Sequence, residues 1–441
     1  MANPPQPPTS ASQKAASQPA PSISGTEPAF VAEAKTLLKN LASQLPSTVV
    51  GLERQMMIGD NLARMDEGDK EKLRSLLNHF LQKMFTINAS DIDMGGYGAQ
   101  GGVWYRVYGT KKPDKSLGTF APDEMNFLIQ SVIGERQRAF LYENRNLDFS
   151  HMLFNEAGDF RRFRADAYFD LDQLALNMRA INNTVRPYKM LELHQNVTRV
   201  LSLAGTKEGL CLVTGITGSG KSSTLDAIID ANNHSVDAHI VIIASPIEYV
   251  HRSDRCIIRH REVGRDVLSF KEGAIQALRQ DPDIIMIGEL RDPETILTAL
   301  EITDSGHKVY STLHTASAVE SIDRIIGETP PAEQERVRNR LGDTLRCVMS
   351  QKLIPSLDGK RVLAKEIMLG LPSVRAAIKN NNTGEIYQMI SEGLEGGMCT
   401  MEQDLKRLYM QKKISLENAI NYANNKRRIQ QLLQVAPAEG T

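Results

Sequence analysis

Two short stretches carry side chains suited to chemistry on phosphate. Gly215-Ile216-Thr217-Gly218-Ser219-Gly220-Lys221-Ser222 fits GxxxxGK[ST] and runs on into Ser223. Glycines at this spacing let successive backbone N–H groups turn inward around phosphate oxygens. Lys221 can then reach the terminal phosphates, and the Ser222 hydroxyl can ligate Mg²⁺. The second stretch is DPDIIMIGELRD, residues 281–292, in which Ile284, Ile285, Met286 and Ile287 read as a buried strand. Such a strand usually ends in an aspartate that serves the metal; here Gly288 stands near that place and Glu289 follows. A third run, HIVIIASPIEYVHR (239–252), carries Glu248 just beyond its apolar part. In parallel sheets the carboxyl ends of strands gather around the ligand crevice, so Glu248 and Glu289 are both expected to face the phosphates. On the residues alone, either is equally a solvated loop carboxylate. Asp292, with Pro293 next and Ile296, Leu297 and Leu300 behind, reads as a helix N-cap.

Histidines and arginines come next. His307 and His314, in GHKVYSTLHT, are spaced unlike an HExxH zinc pair, and a lone histidine in a strand–loop region is ordinarily structural. Arg162 and Arg164 flank Phe163 and so project to one face of a strand; Arg179 follows in NMRAIN. Alternating arginines are most often a strand's solvated face.

The elements that must position these groups are legible in outline. CLVTGITGSGKSSTLDAIID supplies strand, loop and helix in order, with Leu225, Ile228 and Ile229 as the helix's buried face. Alternating strands and helices from about 190 to 330 imply a mainly parallel sheet. Upstream, residues 1–28 are Pro, Ser, Ala and Gln, a disordered tail or tether. Residues 29–86 form a helical extension with apolar spacings of three and four. Residues 87–185 mix Gly-rich turns (95–102) with short aromatic strands such as VWYRVYG and RRFRADAYFD. Residues 331–433 read as helices interrupted by KRVLAKEIML as a strand pair, and 434–441 as a tail.

Composition limits the partners. With 52 basic and 53 acidic residues, the chain advertises no polyanion-binding surface. A DNA translocase or recombinase on the same core would need a basic, aromatic-studded loop, and a single tryptophan argues against one, so no nucleic acid is expected. MANPPQPPTS has neither a basic n-region nor an apolar h-region, and no apolar run approaches a membrane span. Membrane association is therefore expected only through a partner. Cys211, Cys256, Cys347 and Cys399 show no CxxC spacing, which reads as buried apolar residues in a reducing cytoplasm.

ASPIEYVH, DPDIIMIGELRD and GHKVYSTLHT, behind GITGSGKSS, strongly resemble the Asp box, Walker B motif and His box of the PilT/GspE superfamily of secretion and type IV pilus motor ATPases. The resemblance covers about 75–430, with INASDIDM like the family's first N-terminal strand and RRFRADAY like its last arginine-bearing ones. It implies an α/β chain with a PAS-like N-terminal domain (87–185) and a RecA-like P-loop ATPase domain with a helical C-terminal part (190–433). It further implies a cytoplasmic homohexamer, peripheral at the inner membrane, that hydrolyses ATP with Mg²⁺ and moves a membrane platform protein. By the same resemblance Glu289 serves Mg²⁺ with Ser222, and Glu248 is the general base. His314, and less directly His307, sense the γ-phosphate, and Arg162, Arg164 and Arg179 supply charge to a nucleotide site, Arg164 to a neighbour's. One departure is Ala244-Ser245, where the family usually has two acids; a nucleotide-binding regulator without turnover is the reading that this departure leaves open. No four-cysteine insert is present, and residues 373–405 resemble the C-terminal segment of the retraction enzymes, although SVRAAI matches their short helix loosely. Pilus retraction is thus the expected output, with a type IVB (Dot/Icm-like) or type II secretion ATPase as the alternative.

Overall fold

The computed structural model describes residues 28–154, 160–181 and 184–434; apart from Pro28 and Gln434, the tails expected at 1–28 and 434–441 lie outside them. The architecture is α/β, built as two lobes, each around its own sheet.

The first lobe opens with α1 (Ala29–Ser43), α2 (Gly51–Arg64) and α3 (Glu67–Thr86). The Asp66 carboxylate accepts from the Asp69 N–H at 3.1 Å and starts α3, with Glu67 and Asp69 in its positive first turn. Strands β1 (Ala89–Gly95), β2 (Trp104–Val107) and β3 (Thr110–Pro113) follow, then α4 (Pro122–Gln130) and α5 (Glu135–Asn144). Last come β4 (Asn146–Phe154), β5 (Phe160–Asp170) and β6 (Gln173–Ala180). The sheet runs β3-β2-β1-β6-β5-β4, antiparallel throughout. Along β5 the two-residue period buries Phe163, Ala165 and Ala167 against the helices. Arg162, Arg164 and Asp166 fall on the other face. The helical extension belongs to this core: Leu38, Ile58, Leu73, Leu77 and Phe80 pack in one cluster with Ile92, Phe127 and Met178. Arg54 of α2 forks onto both oxygens of Asp123 at 2.8 and 2.6 Å, a geometry that fixes orientation as well as charge.

The second lobe contains α6 (Gln195–Leu201), β7 (Gly209–Thr214), α7 (Lys221–Ser235), β8 (Ala238–Ala244), β9 (Cys256–Glu262), β10 (Ile284–Ile287) and β11 (Lys308–Leu313). It ends its sheet with β12 (Leu345–Pro355) and β13 (Arg361–Leu369). The order is β13-β12-β7-β11-β10-β8-β9, parallel except for β13. The parallel sheet expected over 190–330 is present. KRVLAKEIML contributes one strand, not a pair. Its partner is Leu345–Pro355, a segment expected to be helical. That stretch sits between β7 and β13, covered on both faces, so it needs no alternation and its apolar run mimics a helix. The phosphate-loop strand β7 is buried along its whole length, which makes it a rigid base for the loop it carries.

Candidate active site

The loop 215–220 leaves β7 and delivers Lys221 to the first turn of α7. Gly215 and Gly220 hold positive φ (147° and 89°), conformations that L side chains rarely adopt. A Cβ on Gly215 would also meet the Gln351 carbonyl at 2.5 Å. Gln351 of β12 locks the loop from behind. Its amide donates to the Ser219 carbonyl at 2.8 Å and its oxygen accepts from the Thr224 hydroxyl at 3.0 Å. The Lys221 ammonium donates to the carbonyls of Gly215 (2.8 Å) and Ile216 (3.3 Å). Burial lowers its pKa, against the pull of the Glu289 and Glu248 carboxylates.

The carboxyl ends of β7, β8, β10 and β11 converge on a cleft of about 500 Å³ that also receives Arg164 from β5. Lys221, Ser222, Glu248, Glu289 and His314 all line it. At the end of β10, a side chain on residue 288 would press on the Ala244 Cα at 3.2 Å and the Phe270 ring at 3.3 Å. Glycine fits there and the acid falls one residue later. Glu289 is held from two sides, with His314 Nε2 at 3.2 Å from one oxygen and Arg291 Nε at 2.7 Å from the other. Burial and the neighbouring Lys221 charge keep the His314 pKa below its ordinary value, against the pull of the Glu289 carboxylate. Asp292 caps the next helix, accepting from the Thr295 N–H at 2.8 Å.

Three residues assigned to the site by resemblance lie elsewhere. His307 precedes β11 and His314 follows it, so the six residues of that strand separate them by about 20 Å. His307 instead sits within 2.9 Å of the Ser305 hydroxyl. Arg179 bonds Asp91 of β1 at 2.8 Å and lies outside the cleft lining. Arg162 is buried in the seam between the lobes, 3.0 Å from Glu262, and does not line the cleft. Arg164, two residues on, lines the cleft of its own chain and stands 3.7 Å from Asp148.

Other participants are not singled out by the sequence reading. Asp226 follows Ser222 by four residues on α7, so helical spacing alone could have placed it at the cleft. Gln351 carries no such signal, because its strand reads as helix. Glu262 and Ser150 are far apart in sequence, and only the packing of the lobes brings them together, 2.7 Å apart.

The family model for type II/IV secretion system proteins matches residues 66–438. The type IV pilus retraction ATPase PilT of Pseudomonas aeruginosa is 40% identical over 296 residues, spanning 67% of this chain and 84% of that protein. The crystal structure of the pilus retraction motor PilT with bound ADP superposes with a TM-score of 0.72 at 35% identity, covering 80% of this chain and 98% of that one. The ATPase DotB of Legionella pneumophila matches with a TM-score of 0.69 at 26% identity over 78% and 94% of the two chains.

Proposed function

The chain belongs to the type II/IV secretion system protein family, and from that premise we propose that it is a motor ATPase that retracts type IV pili. The observation that carries the reading is the 40% identity to a retraction ATPase across most of both chains. A cleft that holds phosphate-loop, carboxylate and arginine groups together supports it.

In the proposed reaction, water attacks the γ-phosphorus of ATP and the bond to the bridging oxygen breaks, leaving ADP and phosphate. Backbone N–H groups of 215–223 and the Lys221 ammonium hold the phosphates in place. Glu248, exposed at the cleft rim, accepts the water's proton. Arg164 neutralises charge building on the transferring phosphoryl group. His314, with its Nε2 3.2 Å from Glu289, links the γ-phosphate position to the end of β11. The Ser222 hydroxyl and the Glu289 carboxylate form a hard, all-oxygen donor set that fits Mg²⁺. Both Glu289 oxygens are engaged by His314 and Arg291, so this carboxylate would serve the ion through its water shell. Bound there, the ion supplies neutralisation of the β- and γ-phosphate oxygens.

We read the first lobe as PAS-like and the second as RecA-like, with the working form a homohexamer acting on a membrane platform protein from the cytoplasmic side. Among the described residues, no helix is long and apolar enough to cross a membrane. A type IVB secretion ATPase is the second reading, favoured by the match to DotB. Deleting the gene in its host separates the two. Loss of a retraction motor leaves abundant surface pili and no twitching; bald cells, or a secretion defect with normal pili, contradict retraction.

A further inference from the structure

We propose that Arg162 is a positioning residue which, with Glu262, clamps the first lobe onto the segment carrying Glu248 and sets where that carboxylate stands. This rests on the reading of Glu248 as the general base.

The clamp is a closed set of bonds. Glu262 ends β9, and its Oε2 accepts from Arg162 Nη2 at 3.0 Å and from the Ile247 N–H at 3.2 Å. Its Oε1 accepts from the Ser150 hydroxyl of β4 at 2.7 Å. Arg162 Nη1 donates to the Ile247 carbonyl. Both backbone polar groups of Ile247 are thus tied, one by the acid and one by the base. The Ile247 carbonyl lies in the rigid peptide plane that ends at the Glu248 Cα, so fixing that oxygen fixes the point from which the Glu248 side chain departs.

The far end of the segment is anchored as well. The His251 N–H donates to His260 Nε2 at 3.0 Å, and His251 Nε2 lies 3.2 Å from Asp226 of α7. Glu248 is exposed between these two buried ends.

Two features assign Arg162 to positioning rather than to contact with phosphate. Its side chain and that of Glu262 are only 4% and 7% exposed, and both of its terminal nitrogens are engaged. Neither residue lines the cleft, whereas Arg164, on the same strand face, does. A buried pair of this kind strongly resists loss of one member, because the other is left as an uncompensated charge. The planar fork of arginine can serve the Ile247 carbonyl and the Glu262 carboxylate at once; a lysine ammonium makes no such fork.

The test compares Arg162→Gln, Glu262→Gln and the double variant in the full chain. Phosphate release is measured against ATP concentration, with binding of a fluorescent ADP analogue and thermal melting alongside. Each single change is expected to lower kcat on the order of 100-fold through misplacement of the base. KM and ADP affinity should stay within about twofold. The double variant should be no slower than either single, because both remove the same constraint. Arg162→Lys should recover part of kcat. A parental kcat in Glu262→Gln overturns the proposal, as does weakened ATP binding in Arg162→Gln with additive losses in the double. A lowered melting temperature with kcat unchanged would mark a purely structural pair and overturn it too. Should the Arg162 variants fail to fold, Glu262→Gln and Ser150→Ala carry the test; Ser150→Ala should give a smaller loss of kcat, and parental turnover in both contradicts the clamp. Glu248→Gln is the control: if it still turns over, the general-base reading fails, whereas its silence beside parental clamp variants sinks the clamp alone.

Discussion

In the phosphate loop the working groups come from one continuous stretch, residues 215–223, and rigidity is supplied from behind by Gln351. At the seam between the lobes the groups come from four separate places: Ser150, Arg162, Ile247 and Glu262. The first arrangement is local and survives any motion of the lobes. The second exists only while they are packed as they are. Arg162 and Arg164 bring the contrast down to neighbouring positions of one strand. Both leave the same face of β5, yet one is locked in the seam and the other, about half exposed, reaches the cleft. Nucleotide binding is therefore expected to depend on the loop alone, and turnover on both regions.

The largest effect that could break this contrast is at the loop. Lys221→Ala should abolish measurable ATP binding and turnover together, read by titration with a fluorescent nucleotide; retained binding would show that the cleft does not rely on the loop. Arg164→Ala comes next. Loss of its charge should lower kcat about 10³-fold, the lower range for an arginine finger, with ADP affinity kept. Because Arg164 lines its own chain's cleft, mixing Arg164→Ala with Lys221→Ala subunits should restore no activity at any ratio. Recovery in mixed assemblies would mean that the arginine serves a neighbour, as the family resemblance implies. The smallest effect lies away from both regions. Glu366 of β13 is buried, accepts from the Ala318 N–H at 2.8 Å, and is pushed up to about 7 chiefly by that burial. The folded chain then holds a proton that the unfolded chain releases above about 4.5. Stability should fall by about 3 kcal/mol as pH rises from 4.5 to 7. Urea unfolding of Glu366→Gln should lack that slope; an unchanged slope would place the titration elsewhere.

Legibility in the sequence divides along the same line. The loop can be read because glycine spacing, strand and helix are contiguous, and Glu289 because it closes an apolar run. Asp292 is readable as a cap from its own neighbours. His307 and His314 share one motif, but a strand between them sends them to opposite ends of the sheet, which spacing does not reveal. For Arg162 the strand face is legible and the burial is not, since Glu262 lies 100 residues away. β12 escapes a sequence reading because a strand covered on both faces loses its alternation, and Gln351 goes with it.

In the proposed reaction Glu248 takes the proton from the attacking water in a cleft otherwise complete for binding. Steady-state phosphate release by Glu248→Gln, with ATP and ADP affinities measured on the same preparation, tests it most directly. The amide cannot accept that proton, so turnover should fall at least about 10²-fold with both affinities unchanged. Hydrolysis near the parental rate, with binding intact, would contradict the account.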